Sequence, residues 1–140
     1  MNADLEELYQ SIILDHNRRP QNYRAMPDAS AHADGTNPMC GDQFSVWIHM
    51  NGDVVEDVSF QGSGCAISKA SASLMTQAVK GKTRAEAEAL FDSFHGLVTG
   101  HGGGEGLGSL KAFSGVSRFP LRVKCATLAW HALKSALSDA

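Results

Sequence analysis

Apolar residues recur along the chain with two different periods, and the change of period marks out the elements. Leu5, Leu8, Tyr9, Ile12, Ile13 and His16 are spaced by three and four residues, which predicts an amphipathic helix. Asn2 or Asp4 can cap its start, and Pro20 ends it. His16 then reads as a helix-end residue near the C-terminal dipole, and Arg18-Arg19 as a solvated basic pair that an acidic partner could use. Within residues 26–34, small residues alternate at Ala29, Ala31 and Ala33, a weak edge-strand signal, and Gly35-Thr36-Asn37-Pro38 predicts a turn. The strongest two-residue period follows. Phe44, Val46, Ile48 and Met50 alternate with Gln43, Ser45, Trp47 and His49, and a second apolar run covers residues 54–60. Two such runs around Asn51-Gly52 predict a hairpin, with His49 on its surface.

Beyond the hairpin, Gln61-Gly62-Ser63-Gly64-Cys65 predicts a loop into a helix over residues 66–79, closed by Gly81. Thr83-Arg84-Ala85-Glu86 is a capping box; it opens a helix that turns Ala87, Leu90, Phe91 and Phe94 to the core and ends near Gly96. The glycine-rich stretch 100–108 lacks a Gly-Lys-Ser/Thr ending and the dinucleotide spacing, and no predicted strand leads into it. It is expected to be a surface loop, not a phosphate cradle. Residues 109–113 predict a short helical turn closed by Gly115. A last helix is expected over 126–138, with Leu128, Ala129, Leu133 and Leu137 inward and His131 outward. The sum is an α+β fold, a small antiparallel sheet of about three strands covered by helices, in one domain spanning 1–140.

Composition narrows the function classes. With 43% hydrophobic and 19% charged residues, the chain reads as soluble and globular. A net charge of −3 argues against nucleic-acid binding, and no apolar run approaches the ~20 residues of a membrane helix. The acidic N-terminus lacks a basic n-region and an apolar h-region, so no secretory signal is visible and the expected location is cytoplasmic. Three cysteines in such a chain suit a metal or thiol chemistry better than a disulfide frame.

The candidate chemistry centres on Asn37-Pro38-Met39-Cys40-Gly41-Asp42. If the backbone is extended there, Cys40 and Asp42 point to one side and can face a single ion. Cys65 and Cys125 are the remaining thiols, each expected at a helix start, where free N–H groups and the dipole favour a thiolate. Three thiolates and one carboxylate complete a tetrahedron for Zn²⁺, and thiolates also hold iron–sulfur clusters. Spacing alone does not settle the matter, since Cys-x-Asp is common and a buried structural cysteine is an ordinary feature.

A resemblance adds to this. Leu8 to His16, Pro20-Gln21-Asn22-Tyr23, Asn37 to Asp42, Gly62 to Ser68 and Arg122 to Ala126 match, in order, the SufU family, a branch of the IscU-like iron–sulfur assembly proteins. The resemblance implies that Cys40, Asp42, Cys65 and Cys125 bind zinc and that Arg122 lies close to the metal and assists the site. It implies a zinc-dependent sulfurtransferase that accepts persulfide sulfur from a SufS-type cysteine desulfurase. It further implies that a histidine of the desulfurase takes over the zinc and frees Cys40, and that the SufBCD scaffold is the downstream acceptor. The related scaffolds carry His immediately before the last cysteine, where this chain has Lys124, and they are shorter roughly where this chain has residues 90–113. The alternative carried forward is a scaffold binding a nascent iron–sulfur cluster at the same ligands; a purely structural zinc is the third.

Overall fold

Helix formers and β-branched residues partition the chain into elements that the computed structural model describes over residues 3–102, 104 and 106–140, with side chains from Glu6 onward. They are α1 (Ala3–Arg18), β1 (Ala31–Asn37), β2 (Asp42–Asn51), β3 (Val54–Ser63), α2 (Ala66–Val79), α3 (Arg84–Thr99), a 3-10 segment (Gly108–Arg118) and α4 (Pro120–Asp139). The strands form one antiparallel sheet in the order β1-β2-β3. The α+β expectation holds.

The sheet owes its register to the alternation of β2. Phe44, Val46 and Ile48 are fully buried, and pairing sets Val46 opposite Phe60 and Ile48 opposite Val58. A one-residue slip would turn that whole set to solvent, so the hydrophobic pattern fixes the pairing. The connection to β3 is Gly52-Asp53, with Gly52 left-handed at φ +62°. A bulge at His49/Met50 precedes it, and half-buried His49 stands 3.9 Å from Glu56. β3 does not end on an open edge: the Phe60 N–H donates to the Asn22 carbonyl (3.1 Å) and the Arg24 N–H to the Phe60 carbonyl (3.0 Å). Asn22 takes φ +56°, a conformation asparagine tolerates, and its amide donates to Thr76 Oγ1.

Helices cover one face of this sheet. α4 packs against β1 and β2, α2 against β3 and α4, and α1 lies on α2 and the 3-10 segment. Residues 125–130 of α4 are all buried, because the helix runs between the sheet, α2 and α3. Trp130, absent from the predicted apolar side, stacks on Phe94 (centroids 4.8 Å) and donates from Nε1 to Ser71 Oγ (3.2 Å). Ser71 Oγ donates in turn to the Ala126 carbonyl at 2.6 Å, which locks α2 to α4.

Several boundaries differ from expectation. Residues 35–37 are the paired end of β1, not a turn, because Gly35 and Thr36 take partners Phe44 and Gln43 on β2. Gly35 also sits where a Cβ would come within 3.1 Å of Leu128, so the glycine serves close packing of α4 on the sheet. β3 carries on through Gln61-Gly62-Ser63, paired to residues 43–45. α3 runs to Thr99, ended by left-handed Gly100, and the 3-10 segment passes through Gly115 to Arg118. Pro120 at the first position starts α4 six residues earlier than predicted. Asp4 lies inside α1, and the proposed Asn2 cap lies outside the described residues.

Two expected outcomes follow from these contacts. The capping box is complete: the Glu86 N–H donates to Thr83 Oγ1 (3.1 Å) and the Thr83 N–H to Glu86 Oε1 (2.9 Å). Thr83→Ala should therefore cost about 1 kcal/mol, read as a lower denaturation midpoint with unchanged slope. His16 Nδ1 lies 2.7 Å from Ser73 Oγ, and burial holds its imidazole below the ordinary value, against the pull of Asp15. The unfolded chain then binds a proton that the folded chain resists. That contribution is complete above about pH 6.5 and fades as pH falls through the folded value. Metal-stripped protein should lose stability on acidification, and His16→Gln should flatten the slope; an unchanged slope would remove His16 from the account.

Candidate metal centre

The site begins with a tight connection between β1 and β2. Asn37, the last residue of β1, pairs with Asp42, the first of β2, so Pro38-Met39-Cys40-Gly41 must reverse the chain. Asn37 is buried and builds the turn from both ends of its structure. Its side-chain Oδ1 accepts from the Met39 N–H and its carbonyl from the Cys40 N–H, each at 3.2 Å. Pro38 supplies a preset φ, and Gly41 takes φ +72°, where a side chain would be strained. Cys40 and Met39 are left exposed at the tip, while Asp42 is 2% exposed. The thiol and carboxylate thus share a site through a turn, not through strand alternation: Cys40 lies outside the strand.

Asp42 is fixed from the α2 side. Its Oδ1 accepts the Cys65 N–H at 2.9 Å, and Cys65 Sγ lies 4.0 Å from its Oδ2. Gly64 makes the approach feasible, since a Cβ there would stand 2.6 Å from both Asp42 Oδ1 and Ser68 Oγ. Cys65 is the N-cap of α2, as expected, and its Sγ accepts from the Ser68 N–H at 3.5 Å. Ser68 Oγ stands 3.5 Å from the same sulfur. Sequence analysis missed Ser68 and the individual role of Gly64; the short Gly-x-Gly-Cys-x-x-Ser run was the available signal.

Cys125 arrives from α4. It sits in the second turn and not at the helix start, because Pro120 opens the helix and residues 121–124 fill its first turn. It is 4% exposed, and its Sγ lies 3.5 Å from that of Cys40. The Ser71–Ala126 bond holds the adjacent backbone in place.

Ligand atoms of Cys40, Asp42 and Cys125 all lie within 4.8 Å of one another. A tetrahedral ion with bonds of about 2.3 Å to sulfur separates its ligand atoms by about 3.8 Å, so these groups fit such an ion. Cys65 falls outside that mutual set but touches it through Asp42. Burial pushes the Cys125 thiol far above its ordinary value, and its contacts with Asp42, Cys40 and Cys65 push it further. Four acidic groups around one point resist joint ionisation, and a divalent cation among them would reverse that preference.

Arg122 lies one turn before Cys125, and its guanidinium rests over the Phe119 ring at 4.4 Å. Lys124 is exposed beside Cys125. The histidines His16, His32, His49, His95, His101 and His131 contribute nothing to the set of mutually close ligand atoms among the described residues.

Comparison with known proteins places this arrangement in a family. The pattern of the NifU-like N terminal domain matches residues 8–139. The zinc-dependent sulfurtransferase SufU of Bacillus subtilis is 43% identical over 98% of this chain and 94% of its own length. The iron-sulfur cluster assembly scaffold protein IscU of Streptococcus pyogenes is 42% identical over 96% of this chain and 86% of its own length. The crystal structure of a protein from Fervidobacterium islandicum, described as an iron-sulfur cluster assembly scaffold for the SUF system, superposes with a TM-score of 0.87. It is 32% identical and covers 94% of this chain and 98% of that one. On sequence and fold together, the chain belongs to the NifU-like N-terminal domain family, with SufU- and IscU-type proteins among its relatives.

Proposed function

We propose that this protein is a zinc-dependent sulfurtransferase in iron–sulfur cluster assembly, a carrier that accepts persulfide sulfur from a SufS-type cysteine desulfurase. The observation that carries the reading is the asymmetry of the converging groups. Asp42, Cys65 and Cys125 are anchored by the sheet and two helices, whereas Cys40 rides on an exposed four-residue turn. The 43% identity to a protein named as a zinc-dependent sulfurtransferase supports it.

Cys40, Asp42, Cys65 and Cys125 would hold the zinc. Zn²⁺ bound there supplies positive charge that keeps the thiols deprotonated at neutral pH. The remaining work belongs to the chain. The Cys65 N–H orients the Asp42 carboxylate, so that group keeps its place when Cys40 moves away. The exposed turn carries the Cys40 thiolate toward a partner. There it attacks the outer sulfur of the enzyme's persulfide: the new S–S bond forms on Cys40, and the enzyme's cysteine leaves as a thiolate. Arg122, one turn before Cys125 on the same helix, balances anionic charge at the site. The work is cytoplasmic, and the SufBCD scaffold is the acceptor downstream.

A scaffold carrying a nascent iron–sulfur cluster would use the same residues, and the relatives named IscU keep that reading in play. Lys124 weighs against it, since it stands beside Cys125 where those scaffolds carry a histidine and so supplies no metal-capable imidazole. The protein as purified is expected to contain zinc and to be colourless; uptake of a cluster with visible absorption would favour the scaffold.

Turnover of a SufS-type desulfurase should rise several-fold with the zinc-loaded protein and little with a metal-stripped preparation. Equal stimulation by the two would defeat the zinc mechanism. Cys40→Ala should abolish stimulation while the variant stays folded by circular dichroism; full stimulation would sink the role of Cys40. Gly64→Ala should lower bound zinc at unchanged helix content, because the added methyl displaces Asp42 or Ser68. A variant with full zinc content would show that the close approach is dispensable.

A further inference from the structure

The three thiols of the site are not equivalent in their contacts. Cys40 Sγ and Cys125 Sγ lie 3.5 Å apart, close to the contact distance of two sulfur atoms. Cys65 Sγ is engaged elsewhere, with the Ser68 N–H and Oγ at 3.5 Å and with Asp42 Oδ2 at 4.0 Å. Exposure divides them in another way: Cys40 and Cys65 both face solvent, and Cys125, in contact with Cys40, is only 4% exposed.

We propose that Cys40 is a site of reversible oxidation by hydroperoxides, with Cys125 as its resolving thiol, so that the metal-free protein closes a Cys40–Cys125 disulfide and leaves Cys65 reduced. In the first step the Cys40 sulfur attacks the peroxide. The O–O bond breaks, Cys40 becomes a sulfenic acid, and the other oxygen leaves as an alcohol, or as water when the oxidant is hydrogen peroxide. In the second step the Cys125 sulfur attacks the sulfenic sulfur, the S–S bond forms and water leaves. Two thiols are oxidised by two electrons, and one peroxide bond is reduced. The inference does not rest on sulfur transfer; it requires only the geometry of the thiols.

The fold favours this pairing over the two others. Closing 3.5 Å to a bond of about 2.05 Å asks for a shift of about 1.5 Å. The Cys40 tip has the freedom to make it, since its N–H is held by one bond to Asn37 and glycine follows it. Cys65, as the N-cap of α2, is tied to that helix and to Asp42. The bond would remove two candidate metal ligands together and block the Cys40 thiol. Restoring them takes thiol–disulfide exchange with a dithiol, whose two thiols become the disulfide.

The test is peptide mapping. Reduced, metal-stripped protein is treated with equimolar hydrogen peroxide, alkylated, digested without reductant and analysed by mass spectrometry. The expected product joins the Cys40 and Cys125 peptides, with Cys65 alkylated. Zinc uptake should be lost on oxidation and regained after dithiothreitol. A dominant Cys40–Cys65 or Cys65–Cys125 link would overturn the assignment, as would Cys40 sulfinic acid beside an alkylated Cys125. Cys65→Ser should form the same link at an undiminished rate; a link that depends on Cys65 would equally overturn it.

Discussion

The hydrogen bond from the Cys65 N–H to the Asp42 carboxylate joins the start of the central strand to the start of a helix. Much of the site depends on that contact. It requires Gly64 to have no side chain, sets Cys65 as the cap of α2, and holds the one buried carboxylate of the group. A buried acid is costly unless it is hydrogen-bonded or meets a cation. Here a single backbone donor meets one oxygen, and the other faces thiols. The remaining demand for positive charge is what makes the place suited to a metal.

The rest of the molecule serves to bring α4 to the same point. Ser71 links the two helices one turn from the site, and Trp130 closes the network from the core side. Burial of Phe44, Val46 and Ile48 beside α4, and packing of α2 on β3, fixes the sheet against both helices. The thiol of Cys125 therefore reaches the turn from a buried helix, and Cys40 meets it from an exposed turn.

The hairpin, the capping box and the helical faces could be read from the chain because each is a local pattern: alternation around Asn-Gly, Thr83 to Glu86, spacing by three and four. The α4 start was missed because residues 121–124 carry no apolar period, although Pro120 at the first helical position was available as a signal. The end of β1 was missed for a different reason. Gly35 and Thr36 look like turn residues in isolation, and only pairing with β2 and contact with Leu128 make them strand. The ligand candidates were found as residue types, and their convergence was read only from the family resemblance, not from any local pattern. Cys40 and Cys125 are 85 positions apart, and no local rule reports that a turn and the second turn of a helix will meet at 3.5 Å.

The short connection between β1 and β2 also bears on how the chain tolerates changes of length. Asn37 opposite Asp42 fixes the number of residues between the two strands, and the same pairing fixes which face Phe44 presents to the core. An inserted residue among positions 38–41 can be absorbed by the loop without disturbing the sheet, but it displaces the thiol from Asp42 and Cys125. At Gly52-Asp53, the opposite end of β2, the same insertion would pull the Asp53 carbonyl from the Arg84 N–H that it accepts at 2.8 Å. The two hairpin loops are thus constrained in different ways: one by its backbone contact with the start of α3, the other by the side chains that meet at its tip.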